Sequence, residues 1–167
     1  MKDVVHIMNE GYRAWGSQKR VLSNRGLDIN VKKCVYKALI VPTELYEADA
    51  WGMRSAERKK VNVFEMKCFR SLVGVSRMDS VRNKEVHRRA GIERELVSRA
   101  HQRVLRWFDH VESMDEYHMA RRELMAEVSG WRVQGRPRLG LMDGVKVAFG
   151  SRGMAVEAAR QCAEHKV

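Results

Sequence analysis

At 167 residues, with 44% hydrophobic and 32% charged side chains and only two prolines, the sequence supports a folded, helix-leaning domain, or a domain plus a tail, and excludes general disorder. A formal net charge of +11 and a pI near 10.0 point to a polyanionic partner, nucleic acid first and an anionic membrane surface second. Three widely spaced cysteines (Cys34, Cys68, Cys162) give no disulfide framework, and the apolar run Ala38–Val41 stops at Pro42, so the expectation is a reducing intracellular setting, nuclear or cytoplasmic, without membrane insertion.

In chain order, Val4, Ile7 or Met8, Gly11 and Trp15 carry a weak helical period over residues 2–15, and Gly16-Ser17 reads as punctuation after it. Asp28 is placed to cap a helix running to about Val41, with Val31, Cys34, Val35, Ala38 and Leu39 on its apolar face. Pro42 lacks a backbone donor and suits a kink or the first turn of a new helix. Ser55 is placed to cap a helix over roughly 56–73 whose stripe Val61, Phe64, Cys68, Leu72 is widened by Met66, Phe69 and Val73, a breadth that suggests burial against more than one neighbour. Gly74 suits its end, and Asn83 the cap of a short helix closed by Gly91. The clearest helix spans about 93–112, with Leu96, Val97, Ala100, Val104, Trp107, Phe108 and Val111 on one side. A further helix is expected near 117–128, then a Gly/Arg/Pro linker over 129–140, then short helical segments near 141–149 and 154–164. With no strand pair and no internal repeat, the reading is all-α: an irregular bundle of about five to seven helices, divided into 1–128, the basic linker 129–140 and a tail 141–167.

The positive charge is not spread evenly. Residues 54–110 hold 15 basic and 7 acidic side chains, whereas 1–53 and 111–167 are close to balanced at +2 and +1. Arg99, Arg103, Arg106 and His110 recur at intervals of 4, 3 and 4, which puts them within a sector of roughly 60° on a helix. Such a row of guanidinium groups suits phosphate oxygens, which accept their forked donors. Its other reading is a solvated face paired with Glu93, Glu95 or the acidic stretch 112–116. Arg88, Arg89 and Arg94 lie nearby in sequence, and Gly135-Arg136-Pro137-Arg138 has the form of a minor-groove hook, although so short a stretch is more often a flexible basic linker; Arg136 and Arg138 complete the candidate nucleic-acid set.

Catalytic chemistry is conspicuous by what is missing. The segment Tyr46-Glu47-Ala48-Asp49-Ala50 superficially resembles a polymerase metal motif, but Ala50 stands where a second carboxylate is needed, and two-metal phosphoryl transfer requires several converging carboxylates. No Asp-Asp pair occurs. The six histidines and three cysteines show no zinc-ligand spacing, and there is no phosphate-binding loop or nucleophile elbow. No catalytic residue, metal, cofactor or small-molecule substrate is therefore expected.

Three stretches in order, Val63-Phe64-Glu65-Met66-Lys67-Cys68-Phe69-Arg70, Leu105-Arg106-Trp107-Phe108-Asp109-His110-Val111-Glu112-Ser113-Met114-Asp115 and Gly135-Arg136-Pro137-Arg138-Leu139-Gly140-Leu141-Met142-Asp143, resemble the thumb and post-thumb tail of reverse transcriptases from LINE-type (non-LTR) retrotransposons. Ala14-Trp15-Gly16, Val21-Leu22-Ser23-Asn24-Arg25-Gly26, Ala50-Trp51-Gly52-Met53 and Ser151-Arg152-Gly153-Met154 extend the resemblance over nearly the whole chain. It implies thumb helices that hold an RNA or DNA template–primer duplex through its phosphate backbone, in an RNA-directed DNA polymerase family, with the catalytic palm outside these residues and the chain a truncated element copy. The sequence departs from that pattern at Glu47 and Asp109, where relatives carry glycine, at Leu141, where they carry tryptophan, and at Trp131, where the position is small or charged. A helical protein-interaction module and a non-functional relic are the alternatives.

Overall fold

The structure, a computed structural model, describes residues 4–46, 48, 53–92, 95–126 and 141–156. Among these it contains seven helices and no strand, the all-α bundle that composition and periodicity predict. Two compact units emerge, one from the described residues of 1–47 and 54–100, the other from those of 48–53 and 101–167.

The first unit contains α1 (Val4–Leu22), α2 (Ile29–Val35 with its continuations Tyr36–Ile40 and Val41–Glu44), α3 (Ser55–Val73) and α4 (Asn83–Ala90). Helix α1 runs straight through Gly16-Ser17, contrary to the expected break. Gly16 is exposed, and the Ser17 hydroxyl donates to the Ala14 carbonyl at 2.8 Å, so neither residue takes the backbone out of the helix. The start of α2 follows expectation: the Asp28 carboxylate accepts from the Asn30 N–H at 2.6 Å. The helix runs Ile29–Val35, passes through a π turn at Tyr36–Ile40 and ends in an α turn, Val41–Glu44. In the π turn the Val41 N–H reaches back five residues to the Tyr36 carbonyl. Widening the spiral just before Pro42 lets the chain continue where a regular helix would meet the ring with a carbonyl it cannot satisfy.

The buried face of α2 is not the apolar one. Lys32, Tyr36, Ile40, Val41 and Glu44 are buried, whereas Val31 is 48% and Leu39 45% exposed, and Cys34 and Ala38 also face outward. This corrects the expected face, Val31–Cys34–Val35–Ala38–Leu39. The polar groups turned inward find specific partners: the Lys32 ammonium donates to the Leu72 carbonyl at 3.4 Å, in the last turn of α3, where a cation is favoured.

Helix α3 matches its predicted span. The Arg54 N–H donates to the Glu57 carboxylate at 2.7 Å at its start, and Gly74, at φ 70°, ends it. There the Val75 N–H bonds the Arg70 carbonyl at 3.0 Å, a left-handed cap that favours glycine. Its broad stripe is buried at Val61, Phe64, Cys68, Phe69 and Leu72. Edge-to-face ring pairs tie the stripe to its neighbours, Tyr12–Phe64 at 4.7 Å and Tyr36–Phe69 at 5.5 Å.

The second unit holds the C-terminal part of α5 (Leu96–Glu112), α6 (Met119–Met125) and α7 (Leu141–Gly150). Its core gathers Val104, Phe108, Val111, Leu124, Val145, Ala148 and Phe149, with Phe108 and Phe149 edge to face at 5.6 Å. Trp107, expected to be buried, is only half-buried and packs at the margin of that cluster; Phe108 takes the central place. Asp109, which stands where the resembled family carries glycine, continues α5 without a break. The expected linker 129–140 and most of the segment 154–164 fall outside the described residues.

Candidate nucleic-acid interface

The eight arginines singled out in the sequence have different surroundings. Arg88 and Arg89 share one carboxylate on α4: Glu85 accepts from Arg88 Nε and Nη2 at 2.8 and 2.7 Å, and from Arg89 Nε at 2.7 Å. These hydrogen bonds hold the Glu85 carboxyl down to about 2. The trio keeps a net positive charge, but part of its donor capacity is already used. On α5, Arg103 and Arg106 are exposed, as is His110, whereas Arg99 is half-buried and its charge acts on the buried Glu65. Arg99 is therefore less open to solvent than its place in the helical row implied. Arg94, Arg136 and Arg138 lie outside the described residues.

Burial also redistributes the acidic charge. Glu65 Oε1 accepts from the Tyr36 hydroxyl at 3.2 Å and from the N–H of Leu96, the first residue of α5, at 2.9 Å. Burial nonetheless pushes Glu65 up to about 7 against the pull of those two bonds. Glu44 is 1% exposed, its carboxyl has no hydrogen-bond partner among the protein atoms, and burial together with the Glu65 charge raises it to about 8. Both carboxyls thus lose much of their negative charge near neutral pH, which leaves the surface more positive than the formal count. Burial also pushes the Cys68 thiol and the Tyr36 hydroxyl well above their ordinary values, so neither is an activated nucleophile.

A cleft of about 720 Å³ that residue spacing does not foreshadow lies in the first unit, walled by Tyr12 and Trp15 of α1, by Lys67 and Arg70 of α3, and by Arg77 and Asn83 beyond it. The Lys67 ammonium sits over both rings, 4.2 Å from the Trp15 centroid and 4.9 Å from that of Tyr12. Arg70 is held in place through Nη2, which donates to the Val81 carbonyl at 3.1 Å and to Asn83 Oδ1 at 2.8 Å. Trp15 and Lys67 are 52 positions apart in sequence, and only the packing of α1 on α3 brings them together.

Among the described residues no group of three or more His, Cys, Asp or Glu side chains is arranged to hold a metal ion. No described helix is long and apolar enough to cross a membrane. No family model matches the chain, and neither a curated protein nor a solved structure was found to be similar to it.

Proposed function

We propose that this chain is a thumb-like, nucleic-acid-gripping segment of a LINE-type reverse transcriptase, which binds duplex through the phosphate backbone without regard to sequence and has no polymerase chemistry of its own. One structural observation carries the binding half of this reading. Most described Lys and Arg side chains between residues 54 and 106 are exposed, with Arg58, Arg70 and Arg99 half-buried, while Glu65 from the same stretch is buried and its carboxyl pushed up to about 7. Folding thus sorts the charge, presenting cations and withdrawing an anion, which favours counterion exchange with a polyanion. The reverse-transcriptase half rests on the three ordered sequence stretches. Arg103 and Arg106, exposed and one turn apart on α5, are the best-placed phosphate contacts; residues at this spacing have Cβ atoms about 5–6 Å apart. The test is an Arg103→Glu/Arg106→Glu variant titrated with unrelated duplexes. Affinity should fall by a similar factor on each duplex, with a shallower salt dependence, and unchanged binding by the folded variant would refute the assignment.

A second reading, a protein-interaction module, is supported by the outward apolar residues Leu27, Val31 and Leu39 along α2 and just before it. Association through that face would persist at high salt, where phosphate binding collapses.

A further inference from the structure

The geometry points to the α1–α3 cleft as a nucleotide site, taking a phosphate together with the flat ring system attached to it, with a lining that includes neither Arg103 nor Arg106. The assignment stands on the cleft and does not require the duplex-binding proposal. Four observations carry it. First, the cleft's charged lining side chains are all cationic: Lys67, Arg70 and Arg77. Among the described residues none of the three has a carboxylate within 4.0 Å. Asp79 is not in the lining and instead accepts from the Ser76 N–H at 2.6 Å. Second, Arg70 Nη1 and Trp15 Nε1 are buried and have no acceptor among the protein atoms. Both are donor-only groups closed to solvent in this arrangement, so an acceptor in the cleft reaches them only if a lining side chain shifts, and a cation or an amine would satisfy neither.

Third, the wall is chemically divided. Tyr12, Trp15, Val63 and Met66 offer a ring-sized apolar surface beside the cationic side. At about 720 Å³ the space falls within the range of roughly 300–1,000 Å³ typical of small-molecule and cofactor pockets. A bare inorganic anion would leave the apolar half unused. Lys67 now rests on the two rings by cation–π contact, worth only about 0.5–1 kcal/mol at an exposed site, so its flexible ammonium can turn to a phosphate at small cost.

Fourth, the cleft does not end abruptly. A second hollow of about 370 Å³ shares Tyr12 and Val63 with it and adds Lys59 and Lys60, again with no carboxylate in the lining. Lys59 to Arg70 spans about 16 Å along α3 at 1.5 Å per residue. The nucleotide can therefore be free in solution or one unit of an unpaired strand laid along α1 and α3, and basic grooves interleaved with aromatic side chains bind such strands.

The experiment measures anisotropy of a fluorescein-labelled decathymidylate on the full chain, with AMP, adenosine and inorganic phosphate as competitors and AMP titrated directly by calorimetry. Lys67→Gln/Arg77→Gln is the informative variant, since both side chains are exposed and folding is checked by circular dichroism. A variant that binds the strand at least tenfold more weakly, with a salt slope reduced by about 1.4, supports the site, two single-strand phosphate contacts contributing roughly 0.7 each. Direct binding of AMP, with AMP a better competitor than adenosine or phosphate, identifies a free nucleotide as a source. Binding of the strand alone assigns the cleft to unpaired nucleic acid. Unchanged strand and AMP binding in the folded variant overturns the proposal, as does the absence of binding by both probes in the parent, or, where AMP binds, inorganic phosphate displacing the strand as well as AMP does. Because Arg103→Glu/Arg106→Glu leaves the cleft intact, loss of duplex binding in that variant with strand binding retained separates this site from the α5 surface.

Discussion

Replacing Glu44 by glutamine should stabilise the protein, and by an amount that grows with pH. In the folded chain the Glu44 carboxyl is 1% exposed without a hydrogen-bond partner among the protein atoms, and burial lifts it from 4.5 to about 8. In the unfolded chain it ionises near 4.5. Between those values the folded state holds a proton that the unfolded state has released, so stability declines as pH rises from about 4.5 towards 8. At about 1.36 kcal/mol per unit the full effect is roughly 4–5 kcal/mol, an upper figure because local opening or water entry would relieve it. That is a large part of a typical domain's stability of about 5–15 kcal/mol. Glutamine preserves the size of the protonated acid and carries no titratable proton. Urea denaturation of parent and Glu44→Gln at pH 5, 6, 7 and 8 isolates the residue, since every other titrating group is common to both proteins. The variant's advantage should be small at pH 5 and reach a few kcal/mol at pH 8. Stability curves that stay parallel across that range would refute a buried, protonated Glu44.

Gly11→Ala should destabilise the first unit despite alanine's better helix propensity of about 1 kcal/mol, because a Cβ there overlaps the Glu44 carboxyl and lies 2.8 Å from its Cγ; the loss, about 1–3 kcal/mol by denaturation, should shrink when Glu44 is also shortened to alanine. Phe108→Ala should cost about 3–5 kcal/mol and Trp107→Ala distinctly less, as read by thermal unfolding, because Phe108 is 3% exposed and meets Phe149 edge to face while Trp107 sits at the margin. Purified chain supplied with an RNA template, a primer, magnesium and nucleotides should give no template-dependent extension; extension that survives stringent purification would contradict the reading of a segment without polymerase chemistry.

Much of the backbone was legible in the sequence because local signals act locally. Asp28, Gly74 and Gly91 mark helix ends by cap chemistry that needs no tertiary partner, and the stripes of α3 and α5 are broad enough to fix their buried sides. The α2 face was misread for a physical reason. Hydrophobic periodicity assigns Val31 and Leu39 to the core, but hydrogen bonding brings Tyr36 and Lys32 inward, to Glu65 and to the Leu72 carbonyl, and these partners lie 29 and 40 positions away. Gly16-Ser17 misled in the opposite sense, since an exposed glycine and a serine bonded to its own helix are tolerated without a break. For the candidate site, helical spacing located Arg103 and Arg106 on one exposed row but could not show that Arg88 and Arg89 share Glu85, nor that Arg99 is half-buried. The Trp15–Lys67 contact depends on how two helices pack, which residue spacing along either one does not encode.

The most direct measurement of the central claim is the affinity of the parent chain for a short duplex of arbitrary sequence at 50 and 200 mM salt. Binding through a folding-sorted basic surface predicts that log affinity falls linearly with log salt, with a slope of about −0.9 for each phosphate engaged on B-form DNA, and that a duplex of unrelated sequence gives the same slope. Affinity that is absent at 50 mM salt, or equal at the two concentrations, would contradict a phosphate-gripping function.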